Sequence, residues 1–382
     1  EIAQILYEKK YVDLKSISVR CTSIVISLFA TIYLINIPLI VAVASRELEL
    51  TSSEPLWLGG VFLGGTVLAG ILTTLYISLV NWRLLSFVSS IMGVISFLLP
   101  TFLSDFSFLL ICQGLSGFFT GTVCSVAFVC LGTSTNPIRS YALVLCLQSI
   151  IVALTAYCLP PKVAGLISFN NVLIAASCIC AGLVILSLKV SKNIKQVKLI
   201  IPVPHKKKLL IIFFLVALLL IFVGGNTVRN TIEPIAYSAG FYMVILALSS
   251  SIGGLLAALM EIRSSYVKPI VSAMGVSVLL LVVGLSGYLP QKLIVIAFCF
   301  IGGAWNFSAA FLMGLFSELN YRYIPLIITV QVIGNIVSLV VVGSLYAGQP
   351  YIIACVVWIL TALIVFLLAR SDHKLFLVKK NE

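Results

Sequence analysis

The chain alternates between long apolar runs and short polar stretches. Twelve runs of roughly 20 residues are continuously apolar, and polar residues do not recur at every second position within them. Continuous runs favour membrane-spanning helices, because the strands of a transmembrane barrel alternate between apolar and polar residues. The runs cover residues 21–44, 56–80, 84–103, 106–131, 140–159, 164–188, 209–232, 235–260, 269–288, 293–316, 324–347 and 351–369. The pattern therefore predicts an all-α polytopic membrane protein with twelve transmembrane helices.

A basic stretch at 189–208 separates six of these runs from the other six. It holds seven lysines and no acid, and Pro202 and Pro204 stop a helix from running through it. A basic cluster can also attract nucleic acid, but the apolar runs on both sides exclude that partner. We predict an N-terminal six-helix bundle over 1–188, a cytoplasmic linker over 189–208 and a C-terminal six-helix bundle over 209–382.

Composition and charge agree with a membrane location. Hydrophobic residues make up 61% of the chain, against roughly 45–50% in soluble domains. If the N-terminus is cytoplasmic, 20 of the 24 lysines and arginines fall on the inner side, as the positive-inside rule requires. Both termini are then cytoplasmic, and a plasma or inner membrane is expected. The net charge of +12 follows from this topology and needs no acidic partner.

The residue types needed for most enzymatic chemistry are scarce. The ten cysteines are scattered through the runs, and the two histidines, His205 and His373, both lie at the cytoplasmic edge. This distribution predicts no metal site and no cofactor. No Gly-x-x-x-x-Gly-Lys loop is present to hold a nucleotide phosphate, and the loops leave no room for a soluble domain. We expect a monomeric protein that is not an enzyme.

Polar residues form a stripe on the outer half of the seventh run. Asn226, Arg229, Asn230 and Glu233 have the spacing i, i+3, i+4 and i+7, which places them on one face of a helix. A lone arginine in lipid costs at least ~2.5–3.5 kcal/mol on insertion scales. Either Glu233 neutralises Arg229, or Arg229 binds a solute. We predict that Asn226, Arg229 and Asn230 bind the solute and that Glu233 couples transport to a proton.

Further polar residues lie in the first, fourth and tenth runs. They are Asn36, Gln113, Trp305 and Asn306. An unsatisfied amide in lipid is costly, so each must contact another helix or face water. We predict that they belong to the same solute site. The alternative for each amide is an interhelical hydrogen bond, worth about 0.6 kcal/mol on average.

A third group of charged residues lies at the cytoplasmic ends of the runs. Outside the terminal tails, Glu261 and Glu318 are the acids on this side. We predict that they pair with nearby arginines and close the inner mouth of the protein. The predicted cytoplasmic gate consists of Arg83, Arg139, Glu261, Arg263, Glu318 and Arg322.

Over its whole length the chain resembles the major facilitator superfamily of transporters. The resemblance rests on the six-plus-six layout, the basic linker, Pro38 and Pro234 in the first and seventh runs, and the pair Gln113-Gly114. That pair is similar to the end of the family's Arg-x-x-Gln-Gly signature. The turn at 78–83 stands where the family has Gly-x-x-x-Asp-Arg-x-Gly-Arg-Arg, and it lacks the acid. The resemblance implies two six-helix pseudo-repeats, with the first, fourth, seventh and tenth helices lining a central cavity.

The resemblance implies a secondary transporter that moves a small solute by alternating access. An arginine among amides suits a carboxylate or phosphate, which it can bind through two parallel hydrogen bonds. We therefore expect an anionic or zwitterionic organic solute. The expected partners are this solute, membrane lipids and a co-transported proton or other ion. The alternatives are a carrier or exporter of lipids or amphipathic compounds, and a membrane receptor that does not transport.

Overall fold

The helices of this protein occupy the predicted apolar runs. The structure is a computed structural model that describes residues 17–51, 53–102, 105–158, 167–190, 205–237, 241–260, 266–285, 291–344 and 349–371. Within these ranges the chain forms 13 α-helices and two short 3₁₀ turns, Leu99–Thr101 and Tyr321–Tyr323, and no strand. The helices are α1 (Ile17–Ile35), α2 (Ile37–Glu47), α3 (Glu54–Tyr76), α4 (Trp82–Leu98), α5 (Phe106–Gly132), α6 (Pro137–Cys158), α7 (Phe169–Ser187), α8 (His205–Tyr237), α9 (Phe241–Leu259), α10 (Val267–Leu285), α11 (Gln291–Ser317), α12 (Leu326–Ser344) and α13 (Gln349–Ser371).

The lengths of the helices confirm the prediction of an all-α membrane protein. In the described part of the chain, ten helical segments are long and apolar enough to cross a bilayer. The eighth and ninth runs form α9 and α10, which are equally apolar but shorter over their described residues. Each of the twelve predicted runs therefore corresponds to helix in the folded chain.

Two helix boundaries differ from the predicted ones. The first run is interrupted at Asn36, whose φ of −106° and ψ of 9° end α1 before α2 starts with Pro38 in its first turn. Proline lacks an N–H and clashes with the preceding turn, so the helix breaks there. The seventh run extends further than predicted, because α8 continues through Pro234 to Tyr237. Pro234 lies in the last turn of α8, where the loss of one backbone hydrogen bond is tolerated.

The described residues form two compact units. The first contains α1 to α5, α7 and the chain from Asn320 to Val332 at the start of α12. The second contains α6, α8 to α11, α13 and the remainder of α12. The division of the chain at residues 189–208 stays a prediction, since residues 191–204 lie outside the described ranges.

In the first unit, α3 and α5 cross at a set of glycines. A Cβ atom at Gly65 would overlap the carbonyl oxygen of Gly114, and one at Gly117 would overlap the carbonyl oxygen of Phe62. The hydroxyl of Thr66 donates a hydrogen bond to the Gly117 oxygen at 3.2 Å. Small residues allow this backbone contact, which larger side chains would prevent. The crossing makes α5 the most deeply buried of the candidate spans described.

In the second unit, α11 is the central helix and packs against α6, α8, α9 and α10. A Cβ at Gly253 of α9 would overlap the carbonyl oxygen of Gly303 on α11. A Cβ at Gly314, near the end of α11, would overlap the side chain of Ile138 on α6 and lie 2.7 Å from its Cα atom. Backbones therefore meet in this unit at glycine positions, as they do in the first.

Candidate functional site

The polar stripe predicted on the seventh run lies on a continuous helix. Helix α8 is unbroken from His205 to Tyr237, so Asn226, Arg229 and Asn230 share one face of it. Asn226 is buried, and Arg229 and Asn230 are half-buried. The side chain of Glu233, the fourth member of the stripe, lies outside the described residues. The three described residues form the centre of the candidate site.

Arg229 is a half-buried cation that none of the described carboxylates contacts. Within the described part of the chain, no carboxylate or hydrogen-bond acceptor contacts its guanidinium group. The guanidinium group offers five donors in a fixed plane and does not lose its charge in proteins. An unpaired charge away from bulk water is costly, so a bound anion would stabilise it. Arg229 is therefore the residue of this site best suited to bind an anion.

Trp305 of α11 packs against α8 at Gly225, one helical turn before Arg229. A Cβ at Gly225 would overlap the indole ring of Trp305, so the ring lies directly against the helix backbone. Arg229 follows Gly225 by four residues and lies one turn along the same face. The indole N–H of Trp305 is buried, and no described residue accepts a hydrogen bond from it. An aromatic ring therefore lies against α8 one helical turn before the cation.

Gly224 makes the corresponding contact with a second tryptophan. A Cβ at Gly224 would overlap the indole nitrogen of Trp358 on α13. Trp358 is only 2% exposed and packs in an apolar cluster with Val228 and Leu281. Trp358 therefore supports α8 from the core of the unit, on a different face from the polar stripe.

Asn230 and Asn306 are already hydrogen-bonded to neighbouring helices. The amide of Asn230 donates to the hydroxyl of Ser338 on α12 at 2.8 Å. The amide of Asn306 donates to Ser149 of α6 at 2.8 Å and to the carbonyl oxygen of Ser250 on α9 at 3.0 Å. Asn306 is 4% exposed, so it joins three helices inside the second unit. This is the interhelical role that the sequence left open for each single amide.

The two candidates in the first unit, Asn36 and Gln113, each form a hydrogen bond to a residue of α1. Asn36 caps the break between α1 and α2, and its amide donates to the carbonyl oxygen of Ile32 at 2.8 Å. Gln113 is 1% exposed and accepts a hydrogen bond from the hydroxyl of Tyr33 at 3.0 Å. The ring of Tyr33 packs between those of Phe62 and Phe97, each at a centroid distance of 4.8 Å. Gln113 and Tyr33 therefore form a buried polar pair, and a solute contact at Gln113 stays a prediction.

Two arginines of the predicted gate, Arg83 and Arg322, donate hydrogen bonds to backbone carbonyl oxygens. Nε of Arg83 donates to the oxygen of Val190, after α7, at 2.8 Å. Nε of Arg322 donates to the oxygen of Thr74, in the last turn of α3, at 3.4 Å. Cations near the carboxyl end of a helix interact favourably with its dipole. Both contacts therefore tie the start of one helix to the end of another.

The remaining members of the predicted gate are two exposed residues and two that the structure does not describe. Arg139 and Glu318 are exposed at the start of α6 and after α11. Glu261 and Arg263 lie outside the described residues. The pairing of Glu261 and Glu318 with the arginines stays a prediction.

Helices from the two halves of the sequence pack tightly near the predicted cytoplasmic ends. In the first unit, Thr329 of α12 donates to the carbonyl oxygen of Val67 on α3 at 3.4 Å. In the second unit, α6 packs along both α9 and α11. A Cβ at Gly254 of α9 would lie 3.0 Å from the Cβ of Cys146 on α6. The α3–α12 contact thus lies within the first unit, and the α6–α9 contact lies within the second.

Several residues of these sites could not be singled out from the sequence. They are Tyr33, Ser149, Ser338 and Trp358. Serine and tyrosine are frequent in apolar helices, and no spacing distinguishes these from their neighbours. Only Tyr33 could have been suspected from the sequence, because it precedes Asn36 by three residues and so lies on the neighbouring helical turn, on the same face.

The fold is that of the major facilitator superfamily transporters. A structure of the transporter FucP in the outward conformation superimposes with a TM-score of 0.70 at 12% sequence identity, covering 94% of this chain and 99% of FucP. The proton:xylose symporter XylE bound to 6-bromo-6-deoxy-D-glucose gives a TM-score of 0.66 at 11% identity, covering 94% and 96% of the two chains. No family model matches the sequence, and no curated protein matches it. The structural similarity confirms the predicted resemblance at the level of the fold.

Proposed function

We propose that this protein is a secondary transporter of a small organic anion or zwitterion and works by alternating access. The observation that carries the proposal is Arg229, a half-buried guanidinium that no described acid or acceptor contacts. Asn226 precedes Arg229 by three residues on the same face of α8, and Trp305 of α11 contacts α8 one turn earlier, at Gly225. A carboxylate or phosphate would accept hydrogen bonds from the guanidinium group and neutralise its charge.

An uncharged sugar is the second candidate. It is supported by the likeness to XylE, which is a xylose symporter and was captured with a glucose analogue. The polar residues of α8 would serve a sugar as hydrogen-bond donors, but a neutral solute would add no negative charge to Arg229, which no described carboxylate contacts. The anion is therefore the stronger candidate.

Uptake into proteoliposomes separates the two candidates. The purified protein would be reconstituted and offered labelled carboxylates, phosphate esters, amino acids and neutral sugars, with protein-free liposomes as the control. We expect saturable uptake of a compound that carries a carboxylate or phosphate. Uptake of neutral sugars alone would overturn the anion assignment, and binding without uptake would favour a receptor. Uptake confined to amphipathic compounds would favour the lipid-type carrier.

Alternating access requires that the tight contacts at the predicted cytoplasmic ends open during transport. We propose that the α3–α12 and α6–α9 contacts form the cytoplasmic gate, together with Arg83 and Arg322. Both contacts join a helix of the N-terminal half to one of the C-terminal half. A Cβ at Gly70 of α3 would lie 2.9 Å from the carbonyl oxygen of Pro325, just before α12, and one at Gly254 of α9 would lie 2.9 Å from that of Ala142 on α6. This closeness of the backbones supports a closed gate, because it leaves no passage for a solute.

Replacing Gly254 by cysteine is expected to allow a disulfide that arrests transport. The new Cβ would lie 3.0 Å from the Cβ of Cys146, and a shift of about 0.5–1 Å brings the pair into the usual range for a disulfide. Oxidation should stop uptake, and a reducing agent should restore it. The variant Gly254→Cys/Cys146→Ser, treated in the same way, is the matched control. Full uptake by protein in which mass spectrometry detects the cross-link would contradict this gate.

Glu233 is proposed as the coupling residue. It follows Arg229 by one helical turn and is the acid of the seventh run. Glu233→Gln removes the titratable proton while keeping the shape of the side chain. We expect exchange of solute across the membrane to persist, whereas accumulation driven by a proton gradient should be lost. Unchanged accumulation in Glu233→Gln liposomes would show that the proton does not act through this residue.

A further inference from the structure

A long apolar groove runs along the second unit between α9 and α10. Both helices pack against α11 but barely contact each other, so α11 forms the floor of the groove. The space has a volume of about 830 Å³. This lies within the range of about 300–1,000 Å³ that is common for sites that hold small molecules. The groove is separate from the polar stripe on α8, none of whose residues line it.

Small residues on the floor create the groove. Cys299, Gly303 and Ala304 of α11 line it, so α11 presents little side-chain volume between the two walls. Gly253 brings α9 into backbone contact with Gly303, which holds that wall close to the floor. Ala273 on the opposite wall is equally small. The groove therefore results from the packing of defined helices.

Many of the apolar side chains that line the groove are exposed on the surface of the unit. Ile252 and Leu256 on α9 are each 56% exposed, Val276 on α10 is 49% exposed, and Phe300 on α11 is 64% exposed. In a protein that spans a membrane, exposed apolar surface of this kind is covered by lipid chains. No described lining residue is acidic, and no amide side chain is present to orient a polar solute.

One cation stands at an end of the groove. Lys268, the second residue of α10, lines this end, close to Met260 after the last turn of α9. Lys268 is exposed, and within the described part of the chain no carboxylate or hydrogen-bond acceptor contacts its ammonium group. The hydroxyl of Ser272, one turn later, also lines the groove. The groove is thus lined mainly by apolar residues and carries one positive charge, that of Lys268, at one end.

We propose that the groove binds an acyl chain of an anionic phospholipid, whose phosphate pairs with Lys268. Charge complementarity selects this occupant, because the lysine matches a phosphate and the rest of the lining matches a hydrocarbon chain. Anionic lipids are concentrated in the cytoplasmic leaflet. The positive-inside distribution of lysines and arginines places Lys268 at that leaflet. The proposal does not depend on the identity of the transported solute.

The test measures lipid retention by the purified full-length protein. Phosphatidylglycerol and phosphatidylcholine with identical acyl chains would be added separately to delipidated protein, and bound lipid would be counted by native mass spectrometry. We expect one tightly held phosphatidylglycerol. Its apparent affinity should exceed that of phosphatidylcholine by about fivefold, the effect of one lysine near a membrane surface. Equal retention of the two lipids by the wild-type protein would overturn the role of Lys268.

Two substitutions address the two parts of the groove. Lys268→Gln should remove the preference for phosphatidylglycerol, and Lys268→Arg should retain it. Ala304→Phe should fill the floor and weaken both lipids about tenfold, whereas Leu279→Phe, on the exposed face of α10 outside the groove, should have no effect. Lys208→Gln, at an exposed lysine of α8, is the control for charge.

Other outcomes would assign the groove to a different occupant. Retention of lipid that is unaffected by Ala304→Phe would exclude the groove as the site. Displacement of the lipid by inorganic phosphate alone would exclude a contribution from the acyl chain. A change of oligomeric state in Ala304→Phe, with lipid binding unchanged, would assign the groove to a second copy of the chain.

Discussion

Replacing Arg229 by lysine is expected to weaken solute affinity by ~10-fold or more, since charge-assisted hydrogen bonds are worth about 1.5–3 kcal/mol each. Lysine keeps the charge but loses the planar pair of donors that matches a carboxylate. Arg229→Ala, which removes both donors, should reduce affinity about 100-fold. The measurement is saturation binding or concentration-dependent uptake of the solute identified in proteoliposomes.

The control for this substitution is an arginine with a known structural contact. Arg46→Lys alters an exposed side chain that donates to the Ile167 carbonyl oxygen at 2.9 Å, away from the proposed site and gate, and it should leave solute affinity unchanged. Wild-type affinity in Arg229→Lys would contradict the proposed role. Normal transport by the double variant Arg229→Gln/Glu233→Gln would assign Arg229 to a structural pair with Glu233. Thermal denaturation of each variant separates loss of binding from loss of fold.

Replacing Gly253 by alanine or leucine is expected to damage the second unit severely. Even the Cβ of alanine would overlap the carbonyl oxygen of Gly303, and a backbone atom cannot move aside as a flexible side chain can. Overpacking of this kind costs roughly 1–3 kcal/mol, so Gly253→Ala should lower the melting temperature. Gly253→Leu should prevent α9 and α11 from packing, and the yield of monodisperse protein in detergent should fall close to zero.

Gly275 on α10 is the matched control, because nothing lies within 4 Å of a Cβ built at this position. Alanine has a higher helix propensity than glycine by about 1 kcal/mol, so Gly275→Ala should be neutral or stabilising. The neighbours Gly64 and Gly65 provide the same comparison in the first unit, where only Gly65 meets another backbone. Equal melting temperatures for Gly253→Ala and Gly275→Ala would contradict the packing described for α9 and α11.

Hydropathy alone was sufficient to predict the helices. Lipid offers no hydrogen bonds to the backbone, so a run such as 106–131 must satisfy its own peptide groups and forms α5 over nearly the same residues. The break in the first run also has a local cause, Pro38, which the sequence displays. The end of α8 beyond Pro234 was not predictable in the same way, since a proline can end a helix or lie within its last turn.

The cost of polar groups in lipid indicated which residues needed partners but could not identify those partners. Gln113 and Asn306 were singled out because an unpaired amide is expensive in a membrane. Tyr33 lies 80 residues before Gln113, and Ser149 lies 157 residues before Asn306. Partners at such distances in the sequence meet only when the helices pack, and the choice among many serines and tyrosines depends on that packing.

The sequence by itself therefore determined the helices, their membrane character and the polar stripe of α8, because these follow from the composition and spacing of neighbouring residues. Only the tertiary structure decided which glycines matter. Gly60 and Gly64 have the small-residue spacing of a helix contact, yet nothing lies within 4 Å of a Cβ at either, whereas Gly65 meets the backbone of α5. The spacing repeats on every turn of a helix, but the rotation of α3 toward its neighbour is set by all of its contacts together. The contact of Trp305 with α8 at Gly225 and the groove beside Lys268 are likewise properties of packed helices.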